Sequence, residues 1–154
     1  MITRIAKGAA AATFGLALAA TPMLSGSAEA KVAPGGPESA YSYEWNNAVK
    51  SAAPTGAYYC AHTTGSLACF KPDGDNIYVK DTKSDGYSAV MRWYTDYGRW
   101  GTCRNALKAG TWGVCKKDFA EKPHYLSFRA TRYNGTTGKW VSPESLESTI
   151  STWR

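Results

Sequence analysis

Aliphatic side chains are scarce in this sequence. From Lys31 to the C terminus, Leu, Ile, Val and Phe together number 15, about 12% of 124 residues, too few for an ordinary aliphatic core. Histidine occurs only twice, at His62 and His124, so few side chains titrate near neutrality. No serine lies in a G-x-S-x-G nucleophile context,. No two cysteines form the tight C-x2-4-C unit that zinc sites favour,. A chain of 154 residues is also too short for a two-domain cofactor enzyme,. No cofactor or metal is expected.

Long apolar runs are missing too, with one informative near-exception. Arg4 and Lys7 precede an Ala/Leu-rich stretch from Gly8 to Ala20, then a Pro/Gly/Ser segment and Ala28-Glu29-Ala30. That order is the layout of a secretory signal peptide over residues 1–30, with cleavage after Ala30. The apolar stretch falls short of the roughly 20 residues needed to span a bilayer. The reading is therefore a secreted, extracellular protein with no membrane span.

What the exported part does have is aromatic rings, cysteines and a modest positive charge. Trp, Tyr and Phe number 19 after residue 30, and 16 Lys+Arg stand against 11 Asp+Glu. Low aliphatic content with high net charge signals disorder. Here the charge is small, and each ring brings a large area to bury. The four cysteines, Cys60, Cys69, Cys103 and Cys115, are even in number. In an exported chain of this size they read as two disulfides. Three pairings are possible. Cys60–Cys69 and Cys103–Cys115 are favoured because each pair brackets a short segment rich in turn residues. Each such loop contributes ~2.5–3 kcal/mol in the chain-entropy account.

Period-two patterns dominate. Tyr58–Ala61 and Leu67–Phe70 flank a Thr63–Ser66 turn, and Pro72-Asp73-Gly74-Asp75 and Ser84-Asp85-Gly86 are further turns,. Ile77 and Val79 share one face; so do Tyr87, Ala89, Met91 and Trp93, with Ser88, Arg92 and Tyr94 opposite. Along Tyr125–Tyr133, Leu126, Phe128 and Ala130 point inward, while Tyr125, Ser127, Arg129 and Thr131 point outward. Alternation of this kind means one buried face and one wet face. The fold class expected is all-β, a small antiparallel β-sandwich stapled by two disulfides. Its stapled β domain is placed at residues 57–141. A flexible leader occupies 31–56, with a slight preference for extended structure over Tyr41–Ala53, and a fraying tail occupies 142–154.

Candidate chemistry is sparse. His124 follows Glu121 and Asp118 closely, an arrangement that could serve acid–base chemistry, although strand-end histidines explain it as well. Asp73, Asp75, Asp81 and Asp85 cluster in two turns without the alternating spacing of a calcium loop. The aromatic and basic surface is more informative, because Trp, Tyr and Arg dominate binding hot spots. Trp100, Arg104, Trp112, Tyr125, Arg129 and Tyr133 are the binding candidates. Arg99, Lys108, Lys116 and Lys117 add positive charge around the second disulfide.

The segments Ala68–Asp75, Val79-Lys80-Asp81, Asp85–Ala89, Trp93, Gly101–Asn105, Gly110–Cys115 and Phe128-Arg129 resemble those of small, secreted, two-disulfide β proteins exported by filamentous actinobacteria. The resemblance covers roughly residues 57 to 141. It implies a β-sandwich scaffold and no catalytic constellation. In size and cysteine layout the chain is also remotely similar to the adaptor subunits of secreted umbrella-shaped toxin particles. The expectation is a non-enzymatic extracellular binding module, such as an adaptor in a protein assembly. Its expected partner is a protein ahead of a glycan, with no specific nucleic acid. The alternatives are a small hydrolase such as a ribonuclease, or a peptidase inhibitor presenting Lys71–Asp75 or Asn105–Thr111.

Overall fold

A computed structural model describes residues 43–121 and 123–152. The signal-peptide reading and residues 31–42 of the leader lie outside the described residues. Among the described residues eleven strands run in chain order: β1 Glu44–Asn47, β2 Val49–Ser51, β3 Tyr59–Thr63, β4 Ser66–Lys71, β5 Asn76–Asp81, β6 Ser88–Thr95, β7 Trp100–Asn105, β8 Trp112–Lys116, β9 Tyr125–Asn134, β10 Lys139–Val141 and β11 Ser148–Ser151. Sheet A has the order β1-β7-β6-β9-β10, with β11 also on β9; sheet B has the order β2-β8-β5-β4-β3. The all-β sandwich class holds. One ladder departs from the antiparallel rule, since β1 pairs parallel with β7, Trp45 opposite Thr102.

The sheets reach beyond 57–141 at both ends. β1 and β2 lie in the segment read as leader, where they form one strand that changes sheets at Ala48. The Ala48 amide donates to the Arg104 carbonyl of sheet A at 2.7 Å, and Val49 already pairs with Val114 of sheet B. The tail is also paired: β11 lies antiparallel on β9, Ile150 opposite Leu126. Between β10 and β11, the Ser145 amide donates to the Ala130 carbonyl, and the Ala130 amide donates to Ser145 Oγ. The residues after Lys139 thus follow the β9 edge as an interrupted strand, satisfying backbone groups that an open edge would leave unpaired.

Turn chemistry sets the hairpins. Gly65 takes φ +81° in the tight β3–β4 turn, and Gly74 takes +88° between β4 and β5. A β-branched or bulky residue would be strained at either place.

Between the sheets, Phe70, Ile77, Val79, Met91, Trp93, Phe119, Leu126 and Phe128 form the core. The Phe119 ring meets Trp93 and Phe70 edge-on, with centroids 5.1 and 5.8 Å apart. Such pairs add about 0.5–1.5 kcal/mol each to the area they bury, which makes rings effective substitutes for absent Leu and Ile.

Both favoured disulfides are present. They do different jobs. Cys60 and Cys69 are directly opposed on neighbouring strands of one sheet. Cys103 belongs to sheet A and Cys115 to sheet B, and their Cα atoms are 6.0 Å apart. The second bond therefore crosses the core. Asn105 makes a second stitch nearby: its completely buried amide donates to the carbonyls of Val79 (2.7 Å) and Thr111 (2.8 Å), and its Oδ1 accepts from the Leu107 amide.

Candidate functional site

The residues that could meet a ligand gather on the outer face of sheet A. Register decides which side chains point there. Trp93 is inward, so Arg92 and Tyr94 point out. Their cross-strand neighbours Arg129 and Ser127 on β9, and Thr102 and Trp100 on β7, point out with them. Trp45, opposite Thr102, and Trp140, opposite Tyr133, complete the face from β1 and β10.

The rings on this face touch in sequence. Tyr43 lies 4.6 Å from Trp100 and 6.3 Å from Trp45, centroid to centroid. Trp45 meets Tyr133 at 5.0 Å, and Tyr133 meets Trp140 at 5.1 Å. Guanidinium groups lie against two of these rings, Arg104 at 5.1 Å from Tyr133 and Arg92 at 5.1 Å from Trp140. Beneath this layer Val90, Thr102 and Thr131 are completely buried, although they point away from the inter-sheet core and Val90 is no part of it. The outer face thus carries a thin second core. That corrects the expectation that Ser127 and Thr131 face water; both point outward and both are buried.

Two adjoining hollows mark the layer. One, of about 250 Å³, lies between Tyr43 and Trp100 on one side and Arg92, Arg129, Glu144 and Glu147 on the other. The second is bounded by Trp45, Tyr133 and Trp140 and shares Tyr43, Arg92 and Trp100 with the first. The charges in the first hollow have a specific origin. Arg92 and Arg129 are directly opposed on β6 and β9, and like charges so placed repel. Glu144 reaches both, at 2.7 Å from Arg92 and 3.9 Å from Arg129, and Glu147 lies 3.0 Å from Arg129. The Tyr94 hydroxyl hydrogen-bonds Glu147 and, with Arg129, holds that carboxyl below the ordinary range against the opposing effect of desolvation.

Of the six binding candidates, Trp100, Arg104, Tyr125, Arg129 and Tyr133 fall on this one face. Trp112 does not. It is on β8, opposite Lys80 of sheet B, with the Lys80 ammonium 5.7 Å from its ring. Spacing along the chain placed it near Trp100, but β7 and β8 belong to different sheets. The positive cluster around the second disulfide also dissolves. Arg99 and Lys117 both bind the Glu44 carboxylate, Lys117 at 2.6 Å with its side chain only 3% exposed. Lys117 lies 4.8 Å from the Trp93 ring, and Arg99 lies 5.2 Å from that of Phe119. They close one end of the core. Burial raises the Glu44 carboxyl, but the hydrogen bonds from Arg99 and Lys117 outweigh it and leave the group below its ordinary value.

The residues missed from sequence are Tyr43, Trp45, Trp140, Glu144 and Glu147. The alternation of Tyr43 and Trp45 was a usable signal for the first two. Nothing local marks Glu144 as a partner of Arg92, 52 residues away.

The acid–base and calcium options take other forms. His124 Nδ1 is 3.3 Å from Asp96, and the ring lies edge-on to Tyr97. Asp96 also accepts the Tyr125 amide, so the pair fixes the entry to β9. Asp81 accepts the Lys83 amide, and Asp85 accepts the Tyr87 amide and pairs with Arg132 at 2.9 Å. Asp75 accepts the Phe119 amide. These carboxylates serve turns and closures. Among the described residues no three His, Cys, Asp or Glu converge as metal ligands, and no helix is long and apolar enough to cross a membrane.

Comparison with protein-family models, with curated proteins and with solved structures found no match for this chain.

Proposed function

We propose that this protein is a secreted, non-enzymatic binding module whose ligand surface is the outer face of sheet A. The observation that carries this reading is the concentration there of half-exposed Trp and Tyr rings with arginines, over a layer that is itself packed. Trp100 is 47% exposed, Trp140 40% and Trp45 38%. Rings held in place on strands lose little freedom when a ligand covers them, and that rigidity favours affinity. Residues of this type at the centre of a well-packed patch are those that dominate binding energy. The inter-sheet disulfide and Asn105 hold the frame beneath them.

A hydrolase fits this site less well. Of the residues such an enzyme would use, His124 is engaged with Asp96 at 3.3 Å, and Glu44 is held by Arg99 and Lys117. An inhibitor loop at 105–111 is likewise less well supported, because Asn105 is buried as a stitch between the sheets.

The test is a three-way comparison of wild type, Trp100→Ala and Trp112→Ala. Each is immobilised and offered culture-supernatant proteins and cell-surface polysaccharides. The expected result is retention by wild type and Trp112→Ala that is lost in Trp100→Ala. Equal retention by all three would remove the outer face of sheet A as the binding surface.

A further inference from the structure

We infer that the hollow between Trp100 and the Arg92–Arg129–Glu144–Glu147 group binds a neutral pyranose of an extracellular polysaccharide. The inference rests on the outer face of sheet A being the ligand surface, and it names the ligand class.

Size and lining decide it together. A volume of about 250 Å³ lies below the roughly 300–1,000 Å³ typical of sites for drug-sized ligands, and suits one ring-sized group. One wall is the Trp100 indole with the Tyr43 phenol beside it. The other is four planar charged groups, two guanidinium and two carboxylate, whose formal charges cancel, and Trp93, Tyr94 and Gly101 complete the lining. Arg92 and Arg129 are nearly half exposed, and Glu144 and Glu147 about one-quarter to one-third.

Three kinds of occupant can be weighed against that lining. An apolar anchor from a protein would stack on Trp100 but strip water from the opposite wall without replacing its hydrogen bonds, which is costly for charged groups. An anion would find no net positive charge, because Glu144 and Glu147 already answer the two arginines. A pyranose has an apolar C–H face and a rim of hydroxyls. Its face lies on the indole, its hydroxyls accept from guanidinium N–H groups and donate to carboxylate oxygens, and the bidentate shape of both partners suits adjacent hydroxyls. No bond is made or broken.

The adjoining hollow extends the assignment. Tyr43, Arg92 and Trp100 border both hollows, and the second continues past Trp45, Tyr133 and Trp140. The surface therefore presents further rings to a sugar next to the first. An oligosaccharide, rather than a free monosaccharide, uses the whole length.

The experiment titrates the secreted protein, residues 31–154, with cellohexaose, laminarihexaose, xylohexaose and chitohexaose, reading tryptophan fluorescence and heat, with hexagalacturonate as the charged comparator. At least one neutral hexasaccharide should bind more tightly than hexagalacturonate. Trp100→Ala, checked for folding by near-UV circular dichroism, should weaken that binding roughly tenfold to a hundredfold, by analogy with the loss of a ring that stacks on a nucleic-acid base. Glu147→Gln keeps the shape of the wall and leaves it with one uncancelled positive charge. Its preference should shift toward hexagalacturonate, a reversal that mere loss of packing would not produce. Failure of every neutral hexasaccharide to bind overturns the sugar assignment. If a protein partner is then retained by wild type and lost in Trp100→Ala, the outer face still stands as the binding surface. Saccharide or protein binding that is unchanged in Trp100→Ala overturns the face itself.

Discussion

The outer faces of the two sheets are built on different principles. On sheet A, rings from β1, β7, β9 and β10 lie over buried Val90, Thr102 and Thr131, and the tail brings two carboxylates to an opposed arginine pair. On sheet B, the Cys60–Cys69 bond holds the β3–β4 hairpin covalently, and Trp112 meets Lys80 with no comparable overlayer of rings among the described residues. One face is organised by long-range noncovalent contacts and the other by a local bond. The ligand surface proposed above lies on the face held by noncovalent contacts.

The comparison breaks most severely if the link between the sheets is cut. Replacing Cys103 and Cys115 together with Ala should cost about 3 kcal/mol, the chain-entropy value for a short loop, and more if the sheets separate. The same change at Cys60 and Cys69 should cost no more than that entropy value and leave the outer face of sheet A intact. Urea unfolding of the two variants, with Trp emission as probe, distinguishes them. Equal losses would mean that the core-crossing position of the second bond carries no extra weight.

Asn105→Ala comes next. It leaves the Val79 and Thr111 carbonyls and the Leu107 amide without the side-chain partner they now have; losing the buried bond to Val79 costs about 1–3 kcal/mol, and the two part-buried bonds cost less. The expected loss is about 2–4 kcal/mol in urea unfolding. A loss below about 1 kcal/mol would show that solvent reaches the site and replaces the amide.

How much of this was legible in the sequence follows the range of the interactions. Period-two alternation identified β6 and most of β9, and turn residues located the β3–β4 and β4–β5 hairpins, because both signals act within a few residues. The disulfide pairs were legible as preferences from their short spacing, but the crossing of the core by Cys103–Cys115 was not, since β7 and β8 sit next to each other in sequence and in different sheets. Five of the six binding candidates share a face because outward positions on neighbouring strands of one sheet converge. Trp112 lies apart from them on sheet B, which its sequence position could not show without the sheet assignment. The slight preference for extended structure over Tyr41–Ala53 holds at residues 44–47 and 49–51, where the alternation of Tyr43 and Trp45 was the signal, whereas the strand at 148–151 was hidden because edge pairing with β9 leaves little local pattern. Lys117 and Arg99 read as surface charge because their partner, Glu44, is 73 and 55 residues away.

Acid should weaken the end of the sandwich that Glu44 closes. Its folded value lies below the ordinary carboxylate value near 4.5, so the unfolded chain binds that proton first as pH falls. The stabilisation is present above the unfolded value and is lost as pH falls through the folded one. Glu44→Gln should flatten this part of the stability profile below about pH 5 while lowering stability at neutral pH. An unchanged slope between wild type and Glu44→Gln in acid unfolding would remove Glu44 as its source.

The smallest effect is expected at Trp112, and it sharpens the contrast between the faces most economically. Trp112 is partly buried and its ring meets the Lys80 ammonium, a contact worth about 0.5–1 kcal/mol where solvent reaches it. Trp112→Ala should therefore cost about 1 kcal/mol of stability and leave ligand binding unchanged. Trp100→Ala should do the opposite, with little change in unfolding and a large loss of binding. The two rings lie at neighbouring strands in the chain and on opposite sheets of the sandwich, so paired measurement of unfolding and titration assigns the ligand to one face. Loss of binding in Trp112→Ala at unchanged stability would transfer the ligand surface to sheet B and leave the packed rings of sheet A as structure alone.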